Sequence, residues 1–181
     1  MSVLSSHTMK TAVLAHFRFN ERWILFSTEA SQWHADILMV DPSDNLVEFE
    51  VKVSLSDLRA DFKKRKHAFY RTYKGKSGMV PNRLYFVVPK SIASNAKKIL
   101  QSFPAYGVIA VSELDKSVEV LKTAGWIHKF HKVTDKARRT IILRMGSELI
   151  DLRRKKDHER PEERLFPPEG DILDLGPYVL P

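Results

Sequence analysis

The chain has 181 residues and a mass of 20.9 kDa, enough for one compact core, and its 43% hydrophobic and 29% charged residues are the proportions of a globular protein rather than a disordered one. The absence of cysteine excludes disulfides, thiolate zinc sites and iron–sulfur clusters, so any metal must be held by carboxylate, imidazole or carbonyl groups, which suits a hard ion such as Mg²⁺. A net charge of +8 and a pI near 9.7 suit an anionic partner, nucleic acid first, and the lack of a leader-like start or of a long apolar stretch makes a cytoplasmic setting without a membrane the expectation.

The spacing of Met9, Val13, Leu14 and Phe17 predicts a helix over residues 7–20, with Thr8 as its candidate cap. Residues 23–29 and 35–41 read as short strands and 42–45 as a turn. Residues 46–54, with clean alternation, complete an antiparallel meander. Over residues 56–74 Leu58, Phe62, Phe69 and Tyr73 recur at helical spacing, and Arg59, Lys63, Lys64, Lys66, His67 and Arg71 give the other side a basic face for binding nucleic acid. The following Gly75-Lys-Ser-Gly78 is a loop, without the upstream glycine of a phosphate-binding Walker loop.

Residues 83–88 form an apolar run between Pro81 and Pro89, as expected of a strand covered on both faces. With a helix over 92–103 and a second run over 106–111 they make a strand–helix–strand unit, which favours parallel pairing. Residues 118–121 are an edge-strand candidate, and 134–156 a long amphipathic helix presenting Ala137, Ile141, Met145 and Leu149. The expected class is α/β with a mixed sheet flanked by helices plus a C-terminal helix, a single domain over 1–157 and a proline- and charge-rich tail over 158–181.

In a strand, residues two apart share a face, so Glu48, Glu50, Lys52 and Ser54 project one way while Val47, Phe49, Val51 and Val53 project into the core. A three-residue loop over 43–45, with Asn45 left-handed, would pair Pro42 with Leu46 and set Asp36 opposite Lys52, diagonal to Glu50. A four-residue loop would turn Asp36 to the other face. Alternating charge on a strand is most often only the solvated side of a hairpin. Against that, Asp36 interrupts an apolar strand, where an unpaired buried carboxylate would cost several kcal/mol, and Glu29 ends the strand before it. Converging carboxylates call for a cation, and carboxylates holding Mg²⁺ beside a lysine suit phosphodiester hydrolysis.

Asp36 followed after thirteen residues by Glu50-Val51-Lys52 resembles the D…ExK pattern of the PD-(D/E)XK nuclease superfamily. The longer run from Ala35 through Glu50-Val-Lys-Val-Ser54, Asp57, Asp61 and Lys63, with Tyr85-Phe-Val-Val-Pro89 and Tyr106-Gly-Val-Ile109 after it, is similar to the MmcB-type DNA-repair proteins and related phage-borne members, over roughly residues 20–130. The resemblance implies a restriction-endonuclease-like α-β-β-β-α-β core. It also implies Mg²⁺, with Mn²⁺ as a substitute, ligated by Asp36, Glu50 and the backbone carbonyl of Val51. Lys52 would orient or activate the attacking water, and Glu29 or Glu21 would be an accessory acid. Asp57 and Asp61 match without a mechanism, helix capping being the plain reading of Asp57.

The leading expectation is therefore a metal-dependent endodeoxyribonuclease in repair, recombination or phage DNA processing, in which a homodimer would serve cutting of both strands. The alternative is a nuclease-fold nucleic-acid-binding protein without cleavage of its own. A third reading is a basic adaptor whose hairpin charges are inert. The sequence leaves DNA versus RNA and strandedness open. His128 and His131 have a spacing that could hold a metal on a helix but lack a third ligand, and Trp33 beside His34 is read as packing at a strand edge.

Overall fold

The computed structural model describes residues 4–23, 25–28, 35–75 and 80–159. Helix α1 (Ser6–Ala15) is capped by Ser5, whose hydroxyl accepts the Thr8 amide at 3.1 Å, so Thr8 is the residue capped rather than the cap. A π-type turn over His16–Asn20 extends it. Six strands then lie in one sheet in chain order: β1 (Leu25–Thr28), β2 (Ile37–Val40), β3 (Leu46–Val51), β4 (Arg83–Pro89), β5 (Tyr106–Val111) and β6 (Val118–Lys122). β1, β2 and β3 pair antiparallel, β3, β4 and β5 pair parallel, and β6 returns antiparallel. Helices α2 (Leu55–Asp61) and α3 (Arg65–Thr72) connect β3 to β4, α4 (Lys90–Ile99) connects β4 to β5, and α5 (Asp135–Glu159) follows β6. This is an α/β fold with a mixed sheet flanked by helices and a C-terminal helix.

Both faces of the central strands are covered. Ile37, Met39, Val47, Phe49 and Val87 pack under Met9, Val13 and Phe17 of α1 and its extension. Leu84, Phe86, Val88 and Val108 pack under Leu58, Tyr70 and the α4 residues Ala93 and Ala96. Leu38, Val40 and Leu46 on that second face meet Ile141 of α5. β3 is consequently buried at every residue, and its polar side is not a solvated one. Two compact units divide the chain, Met1–Met145 and Gly146–Pro181, with the division inside α5. In α5, Ala137 and Ile141 are buried, but Leu149, expected on the same stripe, is exposed. No helix among the described residues is long and apolar enough to cross a membrane.

Two sequence expectations need correction. The single helix over residues 56–74 is broken between Asp61 and Arg65, with Lys64 in extended conformation (φ −68°, ψ 140°). The β2–β3 loop is a three-residue loop, but it is closed by Asp41 and Asn45, whose backbones bond at 3.0 Å, and Asp44 rather than Asn45 takes the left-handed conformation (φ 63°). Asp41 sets this register because its carboxylate accepts the amides of both Ser43 and Asn45 at 2.9 Å.

Gly107 is the second residue of β5, directly beside Tyr85 of β4, and a Cβ there would meet the Tyr85 ring at 2.3 Å and the Ala124 amide nitrogen at 2.8 Å. That ring in turn stacks on Phe49 with centroids 5.7 Å apart. Gly107→Ala should overpack the α1 side of the core and lower the unfolding free energy in urea by about 1–3 kcal/mol.

Candidate active site

The hairpin register pairs Ile37 with Phe49, which brings Asp36, one residue earlier, level with Glu50 rather than Lys52. The slip from the expected loop is an even number of positions, so the faces are preserved. Asp36 sits in the bend before β2. One carboxylate oxygen accepts the Val51 amide at 2.9 Å, and the other pairs with Lys10 of α1 at 2.9 Å. Asp36 is thus fixed to the end of β3 through the residue that follows Glu50.

Glu48 and Glu50 lie on the opposite face of the strand from Phe49 and point beneath α2 and α3. With Lys52, Asp61 and Lys66 they are at most 4% exposed. Lys66 of α3 reaches down between the two glutamates: its ammonium donates to Glu48 Oε1 at 2.8 Å and to Glu50 Oε1. Tyr70, one turn on, donates its hydroxyl to Glu48 Oε2 at 2.6 Å. Lys52, whose amide is held by the Val87 carbonyl at 2.9 Å, places its ammonium 2.9 Å from Glu50 Oε2 and 2.6 Å from Asp61. Asp61 ends α2, pairs also with Lys64 at 2.6 Å, and accepts His67 Nε2 at 2.7 Å. The other nitrogen of that ring meets the Tyr106 hydroxyl at 2.9 Å.

The charges hold one another in place. Burial pushes the Glu48 carboxyl up and Lys66 only partly offsets it, so the net shift is upward. For Lys52 and Lys66 burial works against the charged form, but the neighbouring carboxylates outweigh it and both ammonium groups keep their protons more tightly than usual. Burial would likewise raise Asp61, but bonds from His67, Lys52 and Lys64 hold it well below the ordinary carboxylate range. Burial raises the Tyr106 phenol to about 12.

Of the residues singled out from sequence, Asp36, Glu50, Val51 and Lys52 meet at one strand end. Arg59, Lys63, Lys64 and Arg71 are exposed, joined by the exposed Arg65. Lys66 and His67 do not belong to that surface: both are buried, with Lys66 on Glu48 and Glu50 and His67 on Asp61. Glu21 is exposed beyond the π turn, while Glu29, Trp33 and His34 lie outside the described residues. His128 is buried in an irregular segment and bonds the Val80 carbonyl at 3.0 Å through Nε2. Sequence reasoning missed Lys10, Glu48, Tyr70 and Tyr106 as members of this network. Only Glu48 carried a signal, its place two residues before Glu50.

Among the described residues no three His, Asp or Glu side chains are grouped to hold a metal ion. The oxygen donors at the strand end, the carboxylates of Asp36 and Glu50 and the Val51 carbonyl, are of the hard type that Mg²⁺ takes. With Glu48 ionised, four carboxylates (Asp36, Glu48, Glu50, Asp61) face four ammonium groups (Lys10, Lys52, Lys64, Lys66), so the cluster is neutral by itself. Lys10 and Lys64, whose side chains are 19% and 50% exposed, are the two that can turn to solvent. Their departure would leave two uncompensated negative charges, the charge of one divalent ion. The donors are thus of the right type for such an ion, while Asp36 and Glu50 are each already paired with lysine.

No family model and no curated protein matches the chain. Among solved structures, a protein of unknown function from Silicibacter pomeroyi is similar, with 16% identity and a TM-score of 0.54 over 91% of this chain and 97% of that one. At that identity the likeness concerns the fold.

Lys66→Met would leave Glu48 and Glu50 buried side by side without their shared cation, and should cost about 3–5 kcal/mol in urea unfolding, with part of the loss recovered by adding Glu48→Gln. Asp61 contributes through a depressed value, so its stabilisation is present above its ordinary 3.8 and is lost as pH falls below that. Asp61→Asn should be less stable at neutral pH and show a flatter stability curve than wild type between roughly pH 5 and 2.

Proposed function

We propose that the protein is a divalent-metal-dependent nuclease of the PD-(D/E)XK type that hydrolyses phosphodiester bonds in DNA, in repair, recombination or phage DNA processing. What supports this above all is the hairpin register, in which Asp36 stands level with Glu50 and bonds the Val51 amide, while Lys52 follows directly at the end of a strand in a parallel set. Ligands in open α/β sheets commonly bind beyond the carboxyl ends of such strands. The order α1, β1–β3, a helical connection and β4 also accords with the α-β-β-β-α-β core that the resemblance implies.

On this reading Asp36, Glu50 and the Val51 carbonyl hold Mg²⁺ or Mn²⁺. When bound, the metal supplies Lewis acidity and an activated water. Lys52, fixed between Glu50 and Asp61, offers a positioned donor that orients the water or the scissile phosphate. Lys10 covers Asp36 from α1 and moves aside to open it. Arg59, Lys63, Arg65 and Arg71, exposed on α2, α3 and the turn between them, bind flanking phosphates at a cost in salt sensitivity. A second reading, nucleic-acid binding without cleavage, is favoured by the lysine partner that each carboxylate already has.

Labelled single-stranded, duplex and branched DNA, with matching RNA, incubated with Mg²⁺, Mn²⁺ or EDTA separates the two. Metal-dependent cleavage that falls by at least about 10²-fold in both Asp36→Ala and Lys52→Ala is the expected result. Binding without cutting in every metal, unchanged in both variants, would replace the nuclease by the binding protein. Lys10→Gln removes a competing cation and should lower the half-saturating Mg²⁺ concentration by roughly two- to five-fold, measured by titration of the cleavage rate.

A further inference from the structure

We infer that Asp61 is a positioning residue of this site, the anion that holds the Lys52 ammonium at the end of β3 beside Glu50. The inference rests on the nuclease reading for its catalytic consequence and on geometry alone for the contact.

Glu50 is not able to place Lys52 by itself. It is approached by three ammonium groups, Lys66 on one oxygen and Lys52 on the other with Lys64 3.7 Å away, and Lys66 is fully buried between Glu48 and Glu50. Without Asp61, Lys52 would keep only Glu50 Oε2, an oxygen that Lys64 also approaches, and nothing from α2 would hold its long side chain in place. Asp61 supplies a second anion on the α2 side: Lys52 and Lys64 both form ion pairs with its Oδ2 at 2.6 Å.

The aspartate is itself tightly oriented. Its Oδ1 lies 2.7 Å from His67 Nε2, and Nδ1 of the same ring lies 2.9 Å from the Tyr106 hydroxyl, so a chain of three side chains anchors Asp61 to the first residue of β5. The turn between α2 and α3 adds a further constraint. The Lys64 amide bonds the Asp61 carbonyl at 2.8 Å, closing the turn that ends α2, and this turn swings Lys64 and Asp61 to the same point above Lys52. A continuous helix would have no such turn. Lys52 is consequently held from its own strand, from β4 through its amide, and from α2 through Asp61. Asp61 touches neither a candidate metal ligand nor the solvent, so it acts through Lys52.

The test reads Lys52 directly. In nitrogen-detected or ¹⁵N-correlated spectra of the lysine ammonium groups of the full chain, assigned by loss of one signal in Lys52→Met, wild type should give a slowly exchanging Lys52 resonance. Asp61→Asn should shift or abolish it, and Asp61→Glu should restore part of it. His67→Gln and Tyr106→Phe, which loosen Asp61 without removing its charge, should broaden or shift the same signal; they decide the matter if Asp61→Asn does not fold. In the cleavage assay Asp61→Asn should lower kcat by about 10²-fold with KM little changed, and Asp61→Asn/Lys52→Met should be no slower than Lys52→Met alone. A folded Asp61→Asn protein with an unaltered Lys52 resonance overturns the inference, as do additive losses in the double variant. Should wild type fail to cleave any substrate, the nuclease reading falls while the spectra still decide whether Asp61 holds Lys52.

Discussion

A carboxylate buried without a partner costs several kcal/mol, and β3 buries two of them on one face, two residues apart, beneath helices. Much of the second layer follows from that burden. The strand cannot neutralise Glu48 and Glu50 from its own residues, since Lys52 reaches Glu50 alone. A cation must come from above, and Lys66 supplies it from the first turn of α3, with Tyr70 completing the shell of Glu48 from the next turn. Leu58 of α2 packs on the sheet beside this cluster, and the helix is interrupted at residues 62–64. The turn at the interruption, closed by the Lys64 amide on the Asp61 carbonyl, sets the Lys64 ammonium 2.6 Å from the Asp61 carboxylate, so it takes part in the charge balance.

The other side of the sheet obeys a simpler rule. Phe49 and Val51 alternate with the glutamates and face α1, whose Met9 and Val13 cover them. The same helix carries Lys10, one residue beyond Met9, to the rim where Asp36 emerges. Strand end, hairpin and α1 thus converge on Asp36, while strand end, α2 and α3 converge on Glu50, and Val51 is the residue common to both.

Much of this was legible from the amino-acid order. The alternation of residues 46–51 and the double-sided apolar run of 83–88 carry the sheet and its parallel half, because period-two patterns and buried strands are written in adjacent residues. The placement of Asp36 near Glu50 survived a wrong assignment of the loop, since what matters is the parity of the register, and Asp41 shifted it by two positions rather than one. What could not be seen was the partner of each charge. Lys66 and His67 look in sequence like Lys63 or Arg71, members of a basic helical face. Which of them turn inward depends on the charges beneath, and the break after Asp61 is not announced by propensity in a stretch with neither Gly nor Pro. Asp61 itself stood out by resemblance but had no role until Lys52, Lys64 and His67 were seen around it.

The basic composition consequently means less, and something more local, than the net charge suggests. Lys52 and Lys66 are consumed internally, and Lys10 is engaged at the rim, so they belong to the neutral cluster and not to an outward field. The cations of this segment that remain for an anionic partner are Arg59, Lys63, Arg65 and Arg71. Lys64 belongs to both groups: its ammonium is bound to Asp61 while half of its side chain is in solvent. A phosphate drawn to the outer surface would compete with Asp61 for that lysine. Binding of an anion at the surface would thereby be coupled to the charge balance at the strand end through one side chain.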